Sequence, residues 1–156
     1  MQGRMKQHQL TDKQIITLLN TTEVGRIATQ NPDGYPYVVP VHYTVINDKI
    51  YIHGLIKGQK ISNIALNNKV CFEIDSMGAI LPDDTNPCDT NTEFDSVVIL
   101  GTAVMIENTG LKLEVLKSIV KKYTPQLSHL EFPEKMMRAT GIIEITPEHT
   151  TGKYYR

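Results

Sequence analysis

Tyr37 to His53 reads YVVPVHYTVINDKIYIH, and this stretch decides the class of fold. From Tyr37 to Ile46 it is dominated by β-branched and aromatic side chains, which suit a pleated, half-buried surface. Asn47-Asp48 marks a tight turn, and Lys49 to His53 then alternates polar and apolar as a strand with one wet face does. Two adjacent strands joined by a tight turn make an antiparallel hairpin. Pro40 interrupts the first strand. Lacking an N–H, it cannot donate to a ladder, so it belongs at a sheet edge or a bulge, where backbone is free for something else.

Upstream, Thr11 and Gln14 form a capping-box pattern ahead of Ile15, Ile16, Leu18 and Leu19, so a short helix opens the fold until Asn20 and the threonines stop it. Val24 to Thr29 reads as a strand and Asn31-Pro32-Asp33-Gly34 as the turn that follows it. Downstream, Gln59 to Asn67 has helical spacing and Lys69 to Asp75 is again a strand. Met77 to Glu93 carries two prolines and many turn-forming residues, a long connector that is either functional or mobile. Phe94 to Glu107 is a long strand and Thr109 to Tyr123 an amphipathic helix through Leu111, Val115, Leu116, Ile119 and Val120. Gly141 to Ile145 reads as the last strand before a polar tail. The strands, about six, follow one another instead of alternating with the three helices, which favours a mainly β fold, an antiparallel sheet or barrel with appended helices. Residues 1–10 read as a flexible leader and residues 11–156 as a single domain.

With 156 residues, 40% of them hydrophobic, the chain suits one globular domain with its own core. Sixteen Lys+Arg against seventeen Asp+Glu leave a net charge of −1, so no global basic field exists to hold nucleic acid or an anionic membrane. Any anionic ligand must be held locally. No apolar run approaches the roughly 20 residues of a membrane span. Met1 to Thr11 lacks a signal-like apolar stretch and Cys71 and Cys88 form no framework, which together suggest a reducing cytoplasm with free thiols. Neither cysteine sits in a metal-ligand spacing, so no metal site is expected.

Chemistry is most concentrated in Gly54-Leu55-Ile56-Lys57-Gly58-Gln59-Lys60, which ends a strand, turns on glycines and opens a helix. Unpaired N–H groups at a helix start beside a lysine ammonium make a phosphate site. The spacing is not that of a Walker loop, so nucleotide hydrolysis is unsupported, and an ordinary turn with solvated lysines has the same pattern. Tyr37 to Tyr43 is either plain core strand or a strand whose backbone meets the heteroatoms of a planar ligand. His42, one step beyond the apolar run, could face a groove for such a ligand, though a surface rotamer is the favoured reading. His8, His129 and His149 read as solvated. An oligonucleotide-binding barrel would need aromatics interleaved with basic residues along a strand face, and the tyrosines do not follow that pattern.

In this order, YPYVVPVHY, IYIHGLIKGQK, ALNNKVCFEID and FDSVVILGTA resemble the FMN-binding split-barrel superfamily that includes pyridoxamine 5′-phosphate oxidase, closest to its 5-nitroimidazole resistance branch. The resemblance runs from about Thr11 to Lys153. It implies a six-stranded antiparallel split barrel, forming a homodimer with FMN in each of two grooves between subunits. On that mapping Lys60 matches the phosphate-binding lysine, with Gln59 where the oxidase has a second basic residue, and Gly58 lies in the same turn. Val38, Val39, Pro40 and Val41 match the strand along the flavin ring, and His53 and Gly54 the end of the next strand. Ser96 matches a position facing the flavin from the other subunit. The TGKYYR ending resembles the resistance branch and makes Lys153 a further pocket residue. The oxidase's own C-terminal substrate-binding pattern is absent, which counts against pyridoxamine phosphate as substrate.

The resemblance thus implies an FMN-dependent oxidoreductase passing hydride to a small, planar, electron-poor acceptor, with His53 as proton donor or, equally, as a structural residue. The alternative is a flavin- or haem-binding module without turnover, since fold alone does not decide activity.

Overall fold

The computed structural model describes residues 7–156. Helix α1 (Asp12–Thr21) is closed by the expected capping box: Gln14 N–H donates to Thr11 Oγ1 at 3.4 Å, and Thr11 N–H to Gln14 Oε1 at 2.8 Å. Seven strands follow: β1 (Gly25–Gln30), β2 (Pro36–Val41), β3 (Tyr43–Ile46), β4 (Lys49–Leu55), β5 (Lys69–Leu81), β6 (Asn91–Met105) and β7 (Thr140–Tyr155). Between them lie helices α2 (Gln59–Leu66), α3 (Thr109–Tyr123) and α4 (Glu134–Ala139). All strand pairs are antiparallel, in the order β2-β1-β5-β6-β7-β4-β3.

The strand expected over Tyr37–Ile46 is two strands, which raises the count from six to seven. They part at His42 and lie at opposite edges of the sheet. A single residue joins the two edges, so the sheet has to curl until they meet there. The result is a barrel that is closed at His42 and opens along β2. β3 pairs with β4 up to Tyr43↔Ile52, and the same register would place His42 opposite His53 and Val41 opposite Gly54. Val41 instead pairs with Gly25 on β1. β2 therefore diverges from β4 just where the ladder would have continued, and Pro40 stands on an edge strand as its missing N–H requires.

Alternation along the strands sends Ile27, Tyr43, Ile52, Phe72, Ile74, Val97, Ile99, Ile143 and Ile145 into the barrel. β1 approaches Phe72 so closely that a Cβ on Gly25 would stand 2.3 Å from its ring, so only glycine fits there. α3 carries Val115, Leu116 and Ile119 onto a second core with Tyr51 and Ile142.

Three other sequence expectations change. The long connector Met77–Glu93 is strand at both ends: β5 runs on to Leu81 and β6 starts at Asn91, the two pairing through Leu81↔Asn91 with a bulge between Met77 and Ile80. The polar tail after Ile145 is also strand, because β7 runs on to Tyr155 against β6 and its exposed polar residues face outward. The described end of the leader is attached as well: Leu10 N–H donates to Gly152 O and Tyr154 N–H to His8 O, each at 3.0 Å. His8, expected to be solvated, is half-buried with its ring against Tyr154 and Tyr155. Residues 1–6 of that leader lie outside the described residues.

Candidate functional site

Where β2 and β4 part, two clefts of about 370 and 210 Å³ follow one another. The larger is lined by Val24, Pro40, Val41, His42, His53 and Lys60. The smaller is lined by β2 residues Tyr37, Val39 and Pro40 on one side and by Leu55, Lys57, Gly58, Gln59, Lys60 and Ile61 on the other. Pro40 and Lys60 belong to both, so they form one groove along the edge strand. Every ionisable side chain lining it is basic or an imidazole, apart from the phenol of Tyr37, and no carboxylate takes part. A chain with almost no net charge thus concentrates positive potential in one place.

The smaller cleft contains the start of α2. Ile61 and Ser62 both donate their N–H to Gly58 O at 3.0 Å, leaving the N–H groups of Gln59 and Lys60 without an intrahelical acceptor. Gly58 caps this helix with φ at +139°, a conformation that side-chain-bearing residues rarely adopt, and has no side-chain cap. Lys60 folds back over the end of β4, its Nζ 3.5 Å from where a Cβ of Gly54 would be.

Gln59 is held differently from the basic residue it replaces. Its amide donates to Asn63 Oδ1 at 2.8 Å and Asn31 Oδ1 at 3.3 Å, while Asn63 Nδ2 donates to Thr29 Oγ1 at 3.0 Å and Asn31 Oδ1 at 2.8 Å. Asn63 is fully buried, so this network ties the helix start to the β1–β2 turn inside the protein. Sequence reasoning missed it. An asparagine among Ile61, Ile64 and Ala65 was the available signal. The second cation of the cleft is Lys57, which sequence reasoning quoted within the turn but did not single out.

At the other end stands a column of rings. His42 is exposed, as expected, and also lines the groove: it stacks on Tyr123 with centroids 4.4 Å apart and faces His53 at 6.4 Å, the planes inclined by 25° and 27°. Tyr123 is itself immobilised: its hydroxyl accepts from Tyr43 N–H at 3.0 Å and lies 2.8 Å from Glu23 O and 3.0 Å from Tyr43 O, either of which can take its proton. His53 Nδ1 is buried with no hydrogen-bond partner. Burial, then the neighbouring His42 and Lys60, push the His53 imidazole below its ordinary range.

The remaining expected site residues lie elsewhere. Val38 points outward from β2, 55% exposed, and lines neither cleft. Ser96 and Lys153 are direct cross-strand partners on β6 and β7, facing outward because Val97 and Gly152 face in. Lys153 lies twelve residues beyond Gly141, the partner of Gly54. That is up to about 40 Å of extended chain. Within one chain, then, Val39, Pro40, Val41, His53, Gly54, Gly58, Gln59 and Lys60 come together, and Val38, Ser96 and Lys153 do not join them.

The site fits a flavin phosphate on this evidence: free N–H groups, a glycine-only cap and two lysines at one end, and apolar strand backbone with imidazoles at the other. A family model described as pyridoxamine 5′-phosphate oxidase matches residues 11–154. A 5a,11a-dehydrotetracycline/5a,11a-dehydrooxytetracycline reductase of Streptomyces rimosus is 33% identical over 99 residues, 61% of this chain and 63% of that protein's length. A candidate 5-nitroimidazole antibiotic resistance protein of Bacteroides thetaiotaomicron superposes with a TM-score of 0.82 at 22% identity, covering 94% of this chain and 86% of its own. The flavocytochrome Anf3 of Azotobacter vinelandii gives 0.84 at 20% identity, covering 94% and 68%. At such identities the two structures establish the shared fold, a split barrel.

Proposed function

The chain belongs to the pyridoxamine 5′-phosphate oxidase family, and we propose that it is an FMN-binding oxidoreductase acting on a small planar acceptor. The observation that carries this reading is the continuous groove from the α2 start to the His42–His53 pair, lined by cations and imidazoles but by no carboxylate. Lys60, Lys57 and the N–H groups of Gln59 and Lys60 would hold the phosphate. The edge of β2 from Val39 to Val41 would support the ring, and its backbone, unpaired on that side, would meet the ring heteroatoms. When bound, the flavin supplies the redox chemistry, accepting hydride from a donor and delivering it to the acceptor. This chain's own part is to bind, orient and exclude water, and to place the His53 imidazole as a proton donor within the groove. The reductase among its relatives supports the oxidoreductase class.

A homodimer belongs to the same proposal. One cross-strand row on the outer face, Val38↔Ala28↔Cys71↔Leu100, carries Val38 and Leu100 at 55% and 49% exposure, an apolar strip that a second copy would cover. Ser96 and Lys153 lie on that face and reach a groove only in the other subunit. Among the described residues no helix is long and apolar enough to cross a membrane.

The test is direct. Purified protein should be yellow or should bind FMN in the micromolar range or tighter, and the bound flavin should take electrons from a nicotinamide donor and pass them to a nitroimidazole or quinone. Absence of FMN binding refutes the proposal. A bound flavin that neither accepts nor passes electrons would make the protein a flavin carrier or sensor, and a Soret band on adding haem would point to the haem-binding alternative.

A further inference from the structure

The proposal above accounts for the lysine end of the groove and leaves the imidazole end with more basic character than a flavin ring requires. His42 is the one residue between two strands that lie at opposite edges of the sheet, so its backbone position is set by barrel closure. Its ring is set by Tyr123, whose hydroxyl is within hydrogen-bond reach of backbone atoms of Tyr43 and Glu23. His53 opposes it across 6.4 Å. Both line the larger cleft, away from Lys57, Gly58 and Gln59, and no acidic side chain lines it with them.

Two imidazoles held near-parallel line one cleft, His42 against Tyr123 and His53 with Nδ1 buried and unpartnered, which leaves His53 Nε2 to carry the proton of the neutral ring and, with His42, to meet a single oxygen-bearing group. Burial, with His42 and Lys60 nearby, disfavours charging His53, and an anion arriving in the cleft supplies a counter-ion. The charged and titratable groups around the pair are Lys60 from α2, Tyr123 and Lys122 from α3, and Glu23 before β1. Lys122 sits over the Tyr43 ring at 3.7 Å and donates to Leu19 O at 3.1 Å. Its Nζ also lies 5.5 Å from the centroid of the Tyr123 ring. Burial lowers it to about 8, with Glu23 acting in the opposite direction.

Resting on the proposed oxidoreductase reading, we infer that His42 and His53 form the acceptor-binding pair and select planar substrates bearing an anionic oxygen, such as a carboxylate, an enolate or a phenolate, over neutral analogues. His42 is then a specificity residue of this site, and Tyr123 its positioning residue.

Benzoate and benzamide are the probes, alike in shape and differing in charge. Each is titrated into the FMN-loaded protein while the visible flavin band and the imidazole Cε1–H signals are followed by NMR. Benzoate should move the His42 and His53 signals together along one binding curve and perturb the flavin band, and benzamide should bind at least roughly tenfold more weakly. Benzoate affinity should rise as pH falls through the titration of His53, which lies below the ordinary imidazole range, and benzamide affinity should not change. His42→Gln, compared at equal flavin loading, should lower benzoate affinity about tenfold and remove the rise at low pH. Equal response to both probes, or benzoate shifts confined to His129 and His149, overturns the inference, and the wild-type titration decides it even if the variant fails to fold. Failure to load FMN is a separate outcome that removes the parent reading, because it is seen before either probe is added.

Discussion

Replacing Lys60 by glutamine probes the anion site with little interference from the fold. Lys60 takes part in none of the ion pairs among the described residues, so the change leaves no carboxylate stranded. Its ammonium lies over Gly54, where the shorter glutamine also fits. Loss of fold stability should therefore stay within about 0.5 kcal/mol. A hydrogen bond from a charged donor to an anion contributes about 1.5–3 kcal/mol, which is roughly 10- to 100-fold in Kd. Lys57 and the two free N–H groups remain, so binding weakens without vanishing. FMN affinity is read by quenching of flavin fluorescence, with riboflavin, which lacks the phosphate, as control. The loss for FMN should shrink at high salt as screening replaces the lysine, while riboflavin affinity stays within about threefold of the unmodified protein, an allowance for ordinary scatter. The substitution also removes one of the charges that lower His53, so the His53 titration followed by NMR should move up towards its ordinary range. An FMN loss below about threefold, or an equal loss for riboflavin, would refute the placement of the phosphate at the α2 start.

Three other expectations concern the frame of the site. Gly58→Ala introduces no clash, since nothing lies within 4 Å of its Cβ position, so any effect is backbone strain at φ +139°. A loss of about 1–3 kcal/mol in denaturant unfolding is expected, and an unchanged midpoint would show that the helix cap has relaxed. Asn63→Ala removes the buried centre of the Thr29–Asn31–Gln59 network, leaving its partners unsatisfied, and should cost about 1–3 kcal/mol and lower the melting temperature by several degrees. Glu144 is buried beneath Lys49 (2.6 Å) and the Tyr51 hydroxyl (2.8 Å). Burial raises its carboxyl, but the hydrogen bonds from Lys49 and Tyr51 and the lysine charge outweigh it, and the net shift is downward. A depressed folded-state value means stability that is present above the unfolded range near 4.3 and is lost as pH falls through the folded value. Glu144→Gln should thus flatten the acid side of the stability-against-pH curve, and an acid limb as steep as before would show that Glu144 does not contribute to it.

Much of this was legible because local chemistry and tertiary role coincide. The Thr11–Gln14 capping box, the Asn47-Asp48 turn with both residues at positive φ (50° and 62°), and the helix over Thr109–Tyr123 are decided within a few residues of chain. Lys60, Gly54, Gly58 and His53 were legible as a group because they fall within one turn and its flanks. Val39 to Val41 join them because β2 runs along the same edge. The ribbon beyond Met77 and the extension of β7 were not legible, because Gly78-Ala79 in the one and Pro147 and Gly152 in the other interrupt any strand pattern, and it is the partner strand that makes them strands.

The order of short patterns along the chain was enough to determine an antiparallel barrel and a cationic strand-to-helix turn, since hydrophobic period, turn residues and caps act over distances that a linear reading covers. What only the tertiary structure decided is the break at His42. Val41 can pair with β1 or continue towards β4, and no local preference distinguishes these. The choice belongs to the curl of the whole sheet, which sends β2 and β3 to opposite edges, opens the groove between β2 and β4, and sets His42 between Tyr123 and His53.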